Sequence, residues 1–422
     1  MSSLVKKFLG TAGLQLVSKG LMVISGVVFA RYLGAEQFGL YSFALSIVTL
    51  ATLPVIAGLP NLLVREIANH QLEKNWGLLT GVISWSRWYV FILSILIISC
   101  MYIGLNLDFF ENSVTSLLWM AVWLIPLRGL LTQKSAVLNG FRQPVLAQLP
   151  AQLLVPLVTL CVLSYYLLFD IEWNSRTLVG ISILASFIAL LLSGFLLSNT
   201  MKLHSKKLKS IYTIKNWHRS LIPFTLITFI STLNTELASV LLGWLVSYES
   251  VAHFKVAMQA VALISLGLSS INAVIMPNVA RYYKQGDLIK TQEILTKSVR
   301  LSTFVSLPII LILVFFGEYL IRALFGNEYL PAYPILVILC IGQLVNVLMG
   351  SVGLVLKMTN NENKVLKSML LTLILTVLLL VLLIPFYGNI GAAIAVSIGL
   401  VCWNIIMAID VYKLTKLMPW IK

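Results

Sequence analysis

A few charged side chains of this sequence lie inside long apolar runs. These residues are the strongest candidates for a functional role. Lys19 follows Thr11 and Gln15 at four-residue intervals, so the three share one face of a helix. Arg87, Arg128 and Lys255 also lie in or at the ends of such runs. A charged group in apolar surroundings is costly, which makes each residue a candidate for binding an anion or lining a transport path.

One apolar run carries hydroxyl side chains spaced three and four residues apart, which places them on one helical face. These residues are Thr225, Thr228, Thr232, Thr235 and Ser239. Asn234 and Glu236 lie beside this stripe. Desolvation disfavours ionisation of a buried carboxyl group, which suits a reversible proton carrier. Glu236 is therefore the candidate coupling residue, and the alternative is a fixed partner of a cavity lysine.

The sequence thus predicts a polar cavity walled by basic, amide and hydroxyl side chains. The candidate substrate-binding residues are Lys19, Gln15, Lys255, Gln259, Arg87, Arg128, Thr232, Asn234 and Thr235. Arg87, Arg128 and Lys255 lie near enough to the ends of their runs that snorkelling to the membrane surface explains them equally well. Arg65, Glu66 and Arg281 are candidates for a gate, with an ordinary surface ion pair as the alternative.

The elements that position these residues are predicted from composition. A soluble protein of 422 residues would form two or three domains, but here 59% of residues are hydrophobic and only 11% are charged. Soluble domains carry about 25% charged residues. The composition therefore predicts a polytopic membrane protein. The net charge of +15 is spread between apolar runs rather than on one basic face, which favours positive-inside topology over nucleic-acid binding.

Twelve apolar runs are long enough to cross a bilayer, which needs ~20 residues per helix. They cover residues 9–30, 39–60, 79–104, 114–137, 146–169, 177–200, 220–246, 252–277, 298–324, 332–356, 367–386 and 390–412. With the N-terminus in the cytoplasm, 24 Lys and Arg residues fall on the inner side and four on the outer side. This asymmetry predicts that both termini are cytoplasmic.

An approximate repeat relates the two halves of the chain. Residues 35–44 match residues 248–257, with Glu, a small residue, an aromatic residue and Ala in register at an offset of 213. A Pro-Asn pair with a following Arg also recurs, at 60–65 and 277–281. The repeat predicts an N-lobe of six spans at 1–200, a basic cytoplasmic linker at 201–219 and a C-lobe of six spans at 220–422. Such lobes are typical of transporters whose site lies between them near mid-membrane.

The motifs VVFARYLGAEQFGLYSFALSIV at 27–48 and GLPNLLVREIA at 58–68 carry a resemblance. The chain resembles the polysaccharide transporters of the multidrug/oligosaccharidyl-lipid/polysaccharide exporter (MOP) superfamily, and within them the O-antigen flippases of the Wzx type. The resemblance implies an all-α, MATE-like fold of two six-helix lobes. It also implies the transfer of undecaprenyl-diphosphate-linked repeat units to the outer leaflet of the bacterial inner membrane for surface polysaccharide biosynthesis, beside a polymerase and a chain-length regulator.

Other functions remain open at this stage. A drug or cation exporter of the same superfamily would require acids in its cavity, whereas this chain offers Glu236 and at least one lysine. A membrane polysaccharide polymerase would require catalytic carboxylates or arginines on large outer loops, which the sequence lacks. The scattered histidines and cysteines have no metal-ligand spacing, so no metal or cofactor is expected. Coupling to a proton or sodium gradient and to the membrane potential is expected instead.

Overall fold

The computed structural model describes residues 3–107, 110–204, 210–359 and 361–420. Within these ranges the chain forms helices joined by short connections and contains no strand. The predicted linker is described only in part, because 205–209 lie outside the described residues; the side chains of 1–12, which include Thr11, lie outside them as well.

The first half of the chain contains helices α1 to α8. Their bounds are Ser3–Ile56 (α1), Leu59–Leu72 (α2), Trp76–Leu105 (α3), Asn112–Ala121 (α4), Leu124–Gly140 (α5), Pro144–Gln148 (α6), Val155–Leu168 (α7) and Ser175–His204 (α8). A π-helical turn at Leu149–Leu154 joins α6 to α7, with Pro150 and Pro156 at its two ends. Proline removes an amide donor, which accounts for the local change in winding.

The second half contains helices α9 to α14. Their bounds are Ile214–Leu245 (α9), Tyr248–Lys284 (α10), Leu288–Leu324 (α11), Ala332–Met349 (α12), Val352–Met358 (α13) and Glu362–Thr415 (α14). A 3₁₀ turn at Asn327–Tyr329 lies between α11 and α12. These bounds extend several predicted apolar runs by a few residues, since helical hydrogen bonding continues into polar flanks.

Ten helical segments of the described chain are long and apolar enough to cross a membrane. Two of them each contain two of the predicted runs, because α1 continues through a kink at Gly34 and α14 through a kink at Gly388. Gly34 has φ 74° and Gly388 has φ 50°, a left-handed region that glycine adopts without steric cost. The all-α membrane fold is confirmed, while the count of twelve spans and the cytoplasmic termini stay predictions.

By packing, the chain divides into two compact units. The first unit contains Met1–Phe29 and Phe43–Thr232, and the second contains Ala30–Ser42 and Leu233–Lys422. In the first unit α5 packs against α2, α3 and α8, and in the second α12 packs against α10, α11 and α14. The boundaries of these units differ from those of the predicted lobes, which stay a prediction.

Candidate functional site

The candidate coupling residue forms an ion pair in the second unit. The ammonium Nζ of Lys255 on α10 donates to the carboxylate Oε2 of Glu236 on α9 at 2.8 Å. The Lys255 and Glu236 side chains are only 26% and 20% exposed, so most of the surface of both charged side chains is buried within the protein. The structure thus joins two residues that the sequence named separately. This is the arrangement expected if Glu236 is the fixed partner of a lysine.

The threonines of α9 donate hydrogen bonds to their own helix. Thr228 Oγ1 donates to the carbonyl oxygen of Phe224, and Thr232 Oγ1 donates to that of Thr228, each at 3.0 Å. Thr225 likewise donates to the carbonyl of Leu221 and lies equally close to that of Ala57. A hydroxyl group has one proton and two lone pairs. Thr225 and Thr228 can therefore accept hydrogen bonds from a ligand without giving up their backbone bonds.

The other candidate groups of α9 and α10 lie at different depths in the second unit. Asn234 and Gln259 are half-buried, while Thr235 is exposed. Amide side chains carry both donors and acceptors, so Asn234 and Gln259 suit the hydroxyl-rich surface of a sugar. A separate chain of amide hydrogen bonds joins α14 to α12 in the same unit: Asn404 on α14 donates to Asn346, and Asn346 donates to Gln343, each at 3.0 Å.

In the first unit, Arg128 on α5 faces a hydroxyl residue of α1. Its Nη1 lies 3.4 Å from Oγ1 of Thr49, and the arginine is half-buried. Gln15 and Lys19 are exposed on the first part of α1, where Leu16 and Val17 are exposed as well. The exposure of Lys19 leaves its ammonium group accessible to an anionic ligand. Whether Lys19 faces a transport path or lipid stays a prediction.

Arg87 does not lie alone. It lines a cavity of about 510 Å³ together with Lys134, on α3 and α5 respectively. Lys134 Nζ donates to the backbone carbonyl of Leu190 at 3.3 Å. The positive charge of Arg87 repels the ammonium group of Lys134. The sequence assigned Lys134 only to the inner side of the membrane and did not identify it as a site residue. Only the packing of α3 on α5 brings the two cations together.

The gate candidates of the first unit form a surface ion pair. Arg65 Nη2 lies 2.8 Å from Oε1 of Glu66, and the Arg65 side chain is 43% exposed. The guanidinium group also lies over the ring of Phe224, 5.7 Å from its centroid. His70 lies 3.5 Å from the other carboxylate oxygen of Glu66. Arg281, the third candidate, is exposed at the end of α10 in the second unit, and the gate stays a prediction.

Residues 30–42 of α1 are packed into the second unit by contacts that the sequence did not reveal. The kink at Gly34 frees the amide of Ala35, which donates to Oε2 of Glu328 at 3.1 Å. Tyr329 donates from its hydroxyl to the carbonyl of Ala30 at 2.8 Å. Burial raises the pKa of the Tyr329 phenol, which keeps it a neutral donor. Glu328 thus caps the part of the helix that restarts after the kink.

The repeat identified in the sequence corresponds to a close helix contact within the second unit. A Cβ atom added to Gly39 would lie 1.8 Å from the backbone oxygen of Tyr248. Gly39 belongs to the first copy of the repeat and Tyr248 to the second. The absence of a side chain at Gly39 therefore permits the two copies to touch, backbone against backbone. Glu328 and Tyr329 adjoin this contact, since the Tyr329 ring packs edge-on against Phe38.

Comparison with known proteins identifies the family. A family model described as polysaccharide biosynthesis protein matches residues 4–283, more than half of the chain. The chain belongs to this family. A capsular polysaccharide biosynthesis protein of Staphylococcus aureus, CapF, is 26% identical over 246 residues. The match covers 57% of this chain and 61% of CapF, so it spans less than two thirds of that relative.

Solved structures show which fold the family member adopts. An inward closed lipid II flippase, MurJ, matches 95% of this chain and 87% of its own, with a TM-score of 0.76 at 16% identity. An inward-facing multidrug resistance transporter of the MATE family and MOP superfamily matches 96% of this chain and 99% of its own, with a TM-score of 0.77 at 14% identity. The chain therefore has the fold of MOP transporters, and the predicted resemblance to MOP polysaccharide transporters is confirmed.

Proposed function

We propose that this protein moves lipid-linked oligosaccharides across a bacterial cytoplasmic membrane, from the inner to the outer leaflet. The observation that carries the proposal is the combination of a polysaccharide biosynthesis family match with a membrane transporter fold. The proposed substrate is an undecaprenyl-diphosphate-linked repeat unit of a surface polysaccharide, O-antigen or capsule. A polymerase and a chain-length regulator are the proposed partners, and no nucleic acid is involved.

The polar side chains of the spans match the two parts of such a substrate. The diphosphate accepts hydrogen bonds and is negatively charged, so Lys19 and Arg128 are its proposed ligands. Sugar hydroxyls donate as well as accept. The backbone-bonded hydroxyl groups of Thr225 and Thr228 retain lone pairs for them, and the amide groups of Asn234 and Gln259 can both donate and accept. The lipid chain would remain in the bilayer, where it incurs no transfer cost.

A cation exporter is the second candidate, because the same fold serves the multidrug transporter described above. Such an exporter needs a carboxylate that is free to attract a cation. In the second unit, Lys255 already neutralises Glu236 at 2.8 Å. The charges therefore favour an anionic substrate over a cationic one. The same pair argues that protonation of Glu236 competes with an ion pair, so any proton coupling would have to break that pair first.

The test is a flipping assay with the full-length protein in proteoliposomes. A fluorescent prenyl-diphosphate oligosaccharide is placed on one leaflet, and its appearance on the other leaflet is followed by a membrane-impermeant quencher. The proposal predicts protein-dependent flipping of this substrate and no export of a cationic dye such as ethidium. Dye export without flipping of the lipid-linked sugar would establish the exporter and reject the flippase.

The same vesicles test the driving force. The head of the substrate carries about two negative charges, and its outward movement from a negative interior is favourable by ~2.3 kcal/mol per charge per 100 mV. We expect an inside-negative potassium–valinomycin potential at equal pH to increase outward flipping. An unchanged rate, together with a clear response to a proton or sodium gradient, would instead establish ion exchange as the drive.

A further inference from the structure

The cavity of Arg87 and Lys134 has a composition that the proposed transport does not explain. It lies within the first unit and is lined by residues of α3, α5 and α8. Two cations and Ser198 supply its polar groups, and Trp88, Phe91, Leu130, Leu197 and Met201 supply apolar walls. Trp88 and Phe91 are 61% and 48% exposed, so the apolar wall opens to the surroundings of the unit.

The two cations of this cavity lack a neutralising partner within the described chain. No described carboxylate forms an ion pair with either residue, and no acidic residue lines the cavity. Lys134 is held only by a backbone carbonyl, and it experiences the like charge of Arg87. Two adjacent positive charges inside a membrane domain are costly when unpaired. An anion that fits between them would remove this cost.

The position of the cavity along the helices indicates which leaflet it faces. Arg87 lies about three turns from the start of α3, and Lys134 lies about two turns from the end of α5. The C-terminal residues of α8 complete the wall. The charge asymmetry of the sequence predicts that these three helix ends are cytoplasmic. The ligand would thus enter from the inner leaflet.

We propose that this cavity binds an anionic phospholipid of the inner leaflet. The phosphate diester of the headgroup lies between Arg87 and Lys134, and an acyl chain extends along Trp88 and Phe91. Basic pockets between transmembrane helices on the cytoplasmic side commonly bind such headgroups. Gly194 provides the space for the lysine, since a Cβ atom there would lie 2.9 Å from Nζ of Lys134. None of the proposed transport residues Lys19, Arg128 and Gln259 is among the residues that line this cavity.

The experiment measures lipid binding to the delipidated full-length protein by native mass spectrometry. Phosphatidylglycerol is titrated against phosphatidylcholine with the same acyl chains. We expect phosphatidylglycerol to bind at least tenfold more tightly to the wild type. Arg87→Gln and Lys134→Gln should each lose most of this preference, and the double variant should lose all of it. Arg176→Gln is the control, because Arg176 lies on the same helix as Gly194 but outside the cavity.

A further variant separates cavity occupancy from charge. Gly194→Leu retains both cations but fills the space beside Lys134, so it should weaken phosphatidylglycerol binding at least fivefold. Phosphatidylglycerol with brominated chains supplies a second readout that does not require a stable double variant. It should quench tryptophan fluorescence in the wild type, and less in Trp88→Phe.

Three results would overturn the proposal. Equal preference for phosphatidylglycerol in the wild type and in the Arg87→Gln and Lys134→Gln variants would exclude these residues. Displacement of phosphatidylglycerol by millimolar inorganic phosphate would show a site for free phosphate. Displacement by a much lower concentration of a prenyl diphosphate would make the cavity a substrate site. The flipping assay separates the two proposals: loss of lipid preference with retained flipping in Lys134→Gln would support the lipid site and leave the proposed transport function intact.

Discussion

The two units differ in whether a carboxylate pairs with the cations of their membrane helices. In the first unit, Arg87 and Lys134 share a cavity that no described carboxylate lines. In the second unit, Lys255 is bound to Glu236. A neutralised cation is part of the architecture, whereas an unneutralised one is available to an anionic ligand. This difference supports the proposed lipid site at Arg87 and Lys134.

Breaking the ion pair of the second unit should have the largest effect on stability. Lys255→Met leaves the Glu236 carboxylate without its partner in a poorly solvated position. We expect a loss of ~2 kcal/mol or more in the free energy of unfolding, measured by thermal unfolding of the purified protein. The double variant Lys255→Met/Glu236→Gln removes both charges and should recover most of the loss.

The same variants test coupling. If Glu236 carries the proton, Glu236→Gln blocks gradient-driven flipping while substrate binding persists. Wild-type flipping with an unchanged pH response in the double variant would make the pair structural. A double variant as unstable as Lys255→Met would contradict the ion-pair interpretation itself.

The second prediction concerns the backbone contact at Gly39. Gly39→Ala places a methyl group where the carbonyl of Tyr248 lies, so the helices must separate. We expect a loss of ~1–3 kcal/mol in the free energy of unfolding. Gly20→Ala on the same helix is the matched control, because nothing lies within 4 Å of its added Cβ. That control should be neutral or stabilising by up to ~1 kcal/mol. Equal effects at both positions would refute the close contact.

The third prediction sharpens the role of the cations of the first unit. Lys19 is exposed, so Lys19→Ala should leave the unfolding temperature unchanged. If its ammonium group binds the diphosphate, flipping should fall at least tenfold. Lys19→Arg should retain part of the activity, because it preserves the charge. Full flipping by the alanine variant would show that Lys19 only snorkels to the membrane surface.

The smallest effect is expected at the surface pair of the first unit. Arg65 is 43% exposed, so its pair with Glu66 is screened by solvent. Arg65→Gln should change the free energy of unfolding by less than ~1 kcal/mol. A larger decrease in the free energy of unfolding, or a large decrease in flipping at unchanged stability, would favour the gate over the surface pair. Lys297→Gln, which breaks an exposed pair with Glu293, is the control.

Prediction from the sequence succeeded where a single length decides the structure, namely the number of apolar residues that a helix needs to cross a membrane. Apolar runs of about twenty residues predict spanning helices, and ten such helical segments are present in the described chain. The helix breaks were less predictable, because α1 and α14 pass through kinks without losing helical assignment. The threonine stripe was predicted as a cavity wall, but the hydroxyls also bond to their own helix. A repeating pattern shows which face a residue occupies and not which atom it contacts.

The sequence by itself determined the membrane environment, the helical class and the family, since these depend on composition, run length and local motifs. The residues of its polar stripes were visible for the same reason. Tertiary structure alone decided their partners: Glu236 with Lys255, Arg87 with Lys134, Ala35 with Glu328. These partners lie on different helices, and their separation along the chain follows no period. An apolar helix can pack in many registers, and only the folded chain fixes which side chains meet.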